Sequence, residues 1–141
     1  MSRPVRPAVA RDIKGPRAWG VMEETVIEFL QRPALREPYL VEGLPGLGMV
    51  GFNVAKRLIE GLNATLMAYL VSPFLPDYVI VEEGICRLPT YRFYYAKLPE
   101  RDLIILTGDS QPTEDKSAMH YELCDLVVNM ASELGVVGVI G

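Results

Sequence analysis

The sequence predicts an α/β fold with a mainly parallel central sheet and an antiparallel hairpin region. Three observations carry that expectation: apolar runs of strand length, two segments of helical periodicity set between them, and a glycine-rich turn passing from a strand into a helix. The chain has 141 residues, 50% hydrophobic and 23% charged. That is enough for one core that needs neither disulfide nor metal.

Residues 1–18 carry Arg3, Arg6, Arg11, Lys14 and Arg17 against Asp12, with Pro4, Pro7 and Pro16 between them. They are expected to form a flexible basic arm, and residues 19–141 a single α/β domain. Thr25 to Leu30 is β-branched and aromatic, as a strand requires. After a turn between Pro33 and Pro38, Tyr39 to Glu42 makes a second strand, ending at Gly43-Leu44-Pro45-Gly46-Leu47-Gly48. A helix should follow from Met49 to Leu62, with Val50, Val54, Leu58 and Leu62 on one face at four-residue spacing and Gly61 and Asn63 at its end. Thr65 to Val71 is a buried strand, so this part reads as a strand–helix–strand crossover, which favours parallel strands.

Ser72-Pro73-Phe74-Leu75-Pro76 is a rigid loop. Tyr78 to Glu82 and Ile85 to Leu88 form a hairpin about Glu83-Gly84, and Tyr91 to Leu98 is expected as a third local antiparallel piece. The continuous apolar run Leu103 to Thr107 is a strand covered on both faces. Thr113 is the N-cap of a second helix, with Glu114 and Asp115 complementing its dipole. Its apolar stripe is Met119, Leu123, Leu126, Val127, Met130 and Leu134, and Gly135 ends it. Val136 to Ile140 is the last strand. Two helices barely cover such a sheet, so another chain is expected to complete it, or the protein is a shortened form of a longer one.

The formal net charge of −4 hides an asymmetry, because the residues beyond the arm hold nine basic and seventeen acidic side chains. An acidic body argues against nucleic acid, whose phosphates require clustered cations. No run reaches transmembrane length, and the N-terminus lacks the apolar core of a signal peptide, so a cytoplasmic protein without a membrane partner is expected. Cys86 and Cys124 are far apart and outside metal-ligand spacing; two buried apolar thiols are expected, with no metal and no cofactor.

Gly46-Leu47-Gly48-Met49-Val50-Gly51 matches G-x-G-x-x-G between a strand and a helix, where backbone amides can hold a phosphate. The acidic residue that completes a dinucleotide fingerprint is missing, since Met67 to Val71 is apolar. Gly46, Gly48 and Gly51 therefore fit a tight turn and close helix–sheet packing better than a ligand loop. Gly108-Asp109-Ser110-Gln111-Pro112 leaves a strand at the same end, which makes Asp109 and Gln111 the polar candidates of a site or the caps of a turn. His120 stands alone, without a second histidine for zinc. A set of Ser110, His120 and Asp125 has no nucleophile elbow to support it, so no catalytic residue is assigned. Tyr91, Phe93 and Tyr95 alternate with Arg92 and Tyr94, so one face is core and the other an interface. Tyr91, Tyr94 and Phe74 are the interface candidates.

Val41 to Gly51 closely resembles the opening motif of the proteasome assembly chaperone family, in its archaeal type. The agreement continues through Ser72-Pro73-Phe74, Gly84 to Pro89, Thr107 to Pro112 and Leu134-Gly135-Val136, and covers all but the N-terminal arm. The resemblance implies a three-layer α/β/α fold similar to nucleoside phosphorylases without their activity. It also implies a homo-oligomer that binds proteasome α subunits during core-particle assembly. Archaeal relatives often end in a hydrophobic residue, a tyrosine and one further residue, whereas this sequence ends Gly138-Val139-Ile140-Gly141, where the family usually continues. The alternative is a phosphate- or nucleotide-binding enzyme using the 43–51 and 108–112 loops.

Overall fold

A computed structural model describes residues 24–112 and 117–141. The expected basic arm, the cap at Thr113 with Glu114 and Asp115, and the Met119 side chain lie outside what is described. The elements run β1 (Val26–Phe29), β2 (Tyr39–Gly43), a 3-10 turn (Leu47–Met49), α1 (Val50–Gly61) and β3 (Thr65–Val71). They continue with β4 (Ile80–Glu82), β5 (Ile85–Arg87), β6 (Tyr91–Ala96), β7 (Leu103–Gly108), α2 (Ser117–Glu133) and β8 (Gly138–Ile140).

Six strands form one mixed sheet in the order β1-β3-β6-β7-β2-β8, and β4 pairs with β5 separately. The junctions β1–β3, β3–β6 and β6–β7 are antiparallel; β7–β2 and β2–β8 are parallel. The expected mainly parallel sheet is thus corrected to a mostly antiparallel one, and the cause is a single strand. β6 does not stay with the hairpin but inserts between β3 and β7. The pairings give β2, β3, β7 and β8 one common direction, as a strand–helix–strand crossover favours. β6 runs against them and turns two junctions antiparallel. The β4–β5 hairpin itself forms as expected, with Glu83 at φ 51° and Gly84 at φ 77° making the primed two-residue turn that matches strand twist.

The core gathers Leu40, Met67, Leu70, Phe93, Ile104 and Leu106 from the sheet with Leu123 and Met130 from α2. Burying a side chain of this kind contributes about 1.5–3 kcal/mol. On α2 the predicted stripe points inward: Leu123 and Met130 are buried, and Leu126, Val127 and Leu134 half-buried. Gly135, at φ 75°, closes the helix while the Val136 amide bonds back to the Ala131 carbonyl at 2.9 Å.

α1 is turned the other way. The face that the four-residue spacing defines is open at its start, with Val50 68% and Val54 48% exposed and Leu58 and Leu62 half-buried, while Ala55 is fully buried. The reason is the closeness of helix to sheet. A Cβ on Gly43 of β2 would overlap the Gly51 carbonyl oxygen and stand 2.5 Å from the Ala55 Cβ. Only small residues fit that seam, so the larger side chains are driven outward. The two thiols are corrected as well. Cys86 and Cys124 occupy a strand and a helix as expected, but both are free and exposed. Strand and helix periodicity place them, but neither stands on a covered face.

Candidate functional site

β2 and β7 run parallel in register, with Gly43 opposite Thr107, so the 43–51 and 108–112 loops leave the sheet side by side. The Thr107 hydroxyl donates to the Gly43 carbonyl at 3.0 Å in buried surroundings. Leu44 of the first loop lies against Gly108 of the second: a Cβ on Gly108 would fall 3.0 Å from Leu44 Cδ2 and 2.6 Å from the Tyr91 ring. The two candidate loops are therefore one packed unit.

In the glycine loop, the Glu42 carboxylate accepts the Leu44 amide at 2.8 Å. A negative group thus already takes a backbone donor of the loop that a phosphate would seek, and it would repel that phosphate. Gly48 takes φ 72° and Met49 φ 56° to carry the chain into α1, with the Met49 amide bonded to the Gly46 carbonyl at 3.0 Å. Gly51 supplies the close approach to Gly43 already described, whereas a Cβ on Gly46 would meet nothing within 4 Å. Leu47, between Gly46 and Gly48, is fully solvent-exposed.

Asp109 is the centre of the second loop's chemistry. It accepts Arg87 Nη1 at 2.6 Å and Nη2 at 3.1 Å, Arg92 Nη2 at 3.0 Å and the Thr90 amide at 2.9 Å. Its own amide donates to the Thr90 carbonyl at 3.2 Å. Burial pushes its pKa up, but the Arg87 hydrogen bonds, the Thr90 amide and the Arg92 charge outweigh that, and the carboxyl stays below its ordinary value. The same hydrogen bonds raise Arg87 above its ordinary value despite its burial, with help from Glu82 at 3.0 Å. Asp109 is thus a saturated anion that ties β5 and β6 to the end of β7. A carboxylate so held is a poor base or ligand. Arg87 and Arg92 are the residues that sequence reasoning missed. The available signal was a lone arginine at a strand position alternating with Tyr91 and Phe93.

Gln111 and His120 share a groove with Glu42, Leu44 and Cys124, between the loops and α2. The Ser110 hydroxyl is buried and has no hydrogen-bond partner among the described residues. Asp125 instead accepts from Asn129 at 3.3 Å, and no hydrogen bond among the described residues joins Ser110, His120 and Asp125. Of the interface candidates, Tyr91 is corrected to a core residue: it is 3% exposed and packed under Gly108, and burial pushes its phenol up. Phe74 is half-buried against the core and Tyr94 half-buried in a central strand. Large exposed apolar side chains stand elsewhere, with Val79, Val81, Ile85 and Leu88 on and beside the hairpin, Leu47 on the 3-10 turn and Val50 and Val54 on α1. Among the described residues no three His, Cys, Asp or Glu side chains are grouped to hold a metal, and no helix is long and apolar enough to cross a membrane.

Comparison with known proteins agrees with the resemblance read from the motifs. The model of the PAC2 family matches residues 40–141. Pyrococcus furiosus PbaB, an archaeal proteasome activator, superimposes with a TM-score of 0.80 at 37% identity, over 84% of this chain and 50% of its own. Pyrococcus furiosus PbaA, an archaeal homologue of proteasome-assembly chaperone, gives 0.56 at 25% identity, over 78% of this chain and 42% of its own. An uncharacterised protein of Methanocaldococcus jannaschii is 26% identical over 102 residues, 72% of this chain and 38% of that protein. The chain therefore spans half or less of the length of these relatives. With the motif order, the paired loops and the family match in agreement, the chain belongs to the PAC2 family.

Proposed function

We propose that this chain is a non-enzymatic, proteasome assembly chaperone-like protein of the cytoplasm that binds proteasome α subunits and self-associates. The observation that carries the reading is the likeness to the proteasome activator PbaB, at 37% identity and a TM-score of 0.80. The chemistry of the loops supports it: Glu42 and Asp109 are committed to internal donors, so the glycine loop serves as architecture. The three-layer, phosphorylase-like arrangement belongs to the same reading. Gly43 faces α1, while Leu40 and Glu42 of the same strand share a groove with Val127 and Ala131 of α2, which supports a helix on each side.

The second reading, a phosphate or nucleotide site, rests on the groove that brings Gln111 and His120 beside Glu42 and Leu44. Native mass spectrometry with isolated α subunits, run beside a thermal-shift series with phosphate, nucleosides and nucleotides, separates the two. A complex with α subunits and indifference to small molecules is expected. A nucleotide at 100 times its dissociation constant would add about 2.7 kcal/mol of stability. Such a shift, with no α-subunit complex, would overturn the chaperone reading.

A further inference from the structure

Residues 76–90 leave the sheet after β3 and return to it at β6, carrying the β4–β5 hairpin between roots at Pro76 and Pro89. The roots are fixed, since Leu75 is buried on one side and Pro89 and Thr90 on the other. Between them the chain lies almost wholly in solvent: from Asp77 to Leu88 only Ile80 and Arg87 are half-buried, and the rest are exposed. Neither β4 nor β5 pairs with the six-stranded sheet, and among the described residues none of their apolar side chains packs against the core. A two-stranded hairpin so placed is marginally stable, because apolar burial contributes little to holding it.

One side chain ties this arm to the molecule. Among the described residues, the only hydrogen bonds from β4 or β5 to another part of the chain are those of Arg87, whose guanidinium forks onto Asp109 at 2.6 and 3.1 Å. Glu82 steadies the same guanidinium from within the hairpin at 3.0 Å. Asp109 also accepts the Thr90 amide at 2.9 Å, so it fixes the root from which the arm departs. It keeps Thr90 and Arg92 when Arg87 is taken away, and the sheet therefore does not depend on the tie. We propose that the hairpin is a latched arm, and that the Arg87–Asp109 pair is the latch that decides whether it lies against the end of β7 or swings free. A bidentate fork fixes direction as well as distance, so one pair suffices to hold the arm in one orientation. Proline at each root fixes its own φ, which leaves the pivot to the exposed residues 77–79 and Leu88. Release gives the chain a second arrangement without unfolding its sheet.

The test uses the two native thiols, Cys86 on the arm and Cys124 on α2, both free and exposed. Cys86 stands on the opposite side of β5 from Arg87, so a label there does not disturb the pair. Nitroxide labels on both, in the full chain diluted with unlabelled protein, report the arm's position as a distance distribution by pulsed electron paramagnetic resonance. Wild type should give one narrow distribution, and Arg87→Met, which keeps the bulk without the charge, a broad one. Amide exchange in residues 80–87 should rise about tenfold or more in Arg87→Met, the worth of a charge-assisted hydrogen bond, while exchange in β3, β6 and β7 stays at the wild-type rate. Arg87→Lys keeps the charge without the fork and should lie between the two. A wild-type distribution as broad as that of Arg87→Met, or an Arg87→Met distribution as narrow as wild type, overturns the latch, because the arm is then free already or held elsewhere. Loss of protection throughout β3, β6 and β7 in both variants also overturns it, since Arg87 would then support the whole fold.

Discussion

At the scale of single residues, the determining group is Asp109, a carboxylate with a 10% exposed side chain, between two arginines. Replacing it with asparagine keeps the shape but removes the counter-charge of Arg92 and leaves Arg87 only the exposed Glu82. Asp109→Asn should cost about 3 kcal/mol, measured by urea unfolding at neutral pH. The pH dependence follows from the direction of the shift. A carboxyl held below its ordinary value stabilises the fold fully above the unfolded pKa of about 3.9, and loses that stabilisation as pH falls through the lower folded value. The gap between wild type and Asp109→Asn should therefore be constant from neutral pH down to about pH 5 and narrow below about pH 4. A gap that widened in acid would show that the carboxyl is not held as an anion. That Asp109 mattered was legible in the sequence, as a polar residue following an apolar strand. Its partners were not, because Arg92 approaches it through the pairing of β6 with β7 and Arg87 through the placement of the separate β4–β5 hairpin beside the end of β7.

At the scale of elements, α1 shows that a correct period leaves open which face is covered. Val50, Val54 and Leu58 do recur at helical spacing, and the helix forms where that spacing places it. Which side goes inward is set by the partner surface, and Gly43 leaves room only for Gly51 and Ala55. Gly43→Ala should then cost about 1–3 kcal/mol, since the obstructing atoms include backbone that must move. Val50→Thr and Val54→Thr should stay within about 0.5 kcal/mol of wild type, being exposed. Denaturant midpoints of the three variants decide the matter. Large losses at the valines would place them in a covered surface of the folded chain. On α2 the same reasoning from period succeeded, because its stripe of Leu123, Met130 and half-buried neighbours has a broad apolar sheet face to cover.

At the scale of the whole molecule, the sheet order places the oldest question of topology in one strand. β6 sits between β3 and β7, with Phe93 fully buried at the centre of the sheet. Hydrogen exchange should therefore be slowest in β3, β6 and β7, which pair on both sides, and fast in the three-residue strands β4, β5 and β8. Protection in the hairpin equal to that of β6 would mean that its outward face is already covered in solution. The edge strand β8, with Val139 65% and Ile140 55% exposed, is the other place where protection would report a contact.

The sequence by itself determined the existence and bounds of nearly every described element. It also marked the turn residues Gly84 and Gly135, the glycine-rich strand-to-helix turn, and through motif order the family. These are local matters: backbone conformations that few residues adopt, and periodicities that one element must satisfy alone. Only the tertiary structure decided that β6 leaves the hairpin for the sheet, that α1 turns its valines outward, that Tyr91 is core and that two arginines hold Asp109. Each of these depends on which surfaces meet. Contact between residues far apart in the chain is set by the sum of packing and charge over the whole molecule, and no local pattern contains it.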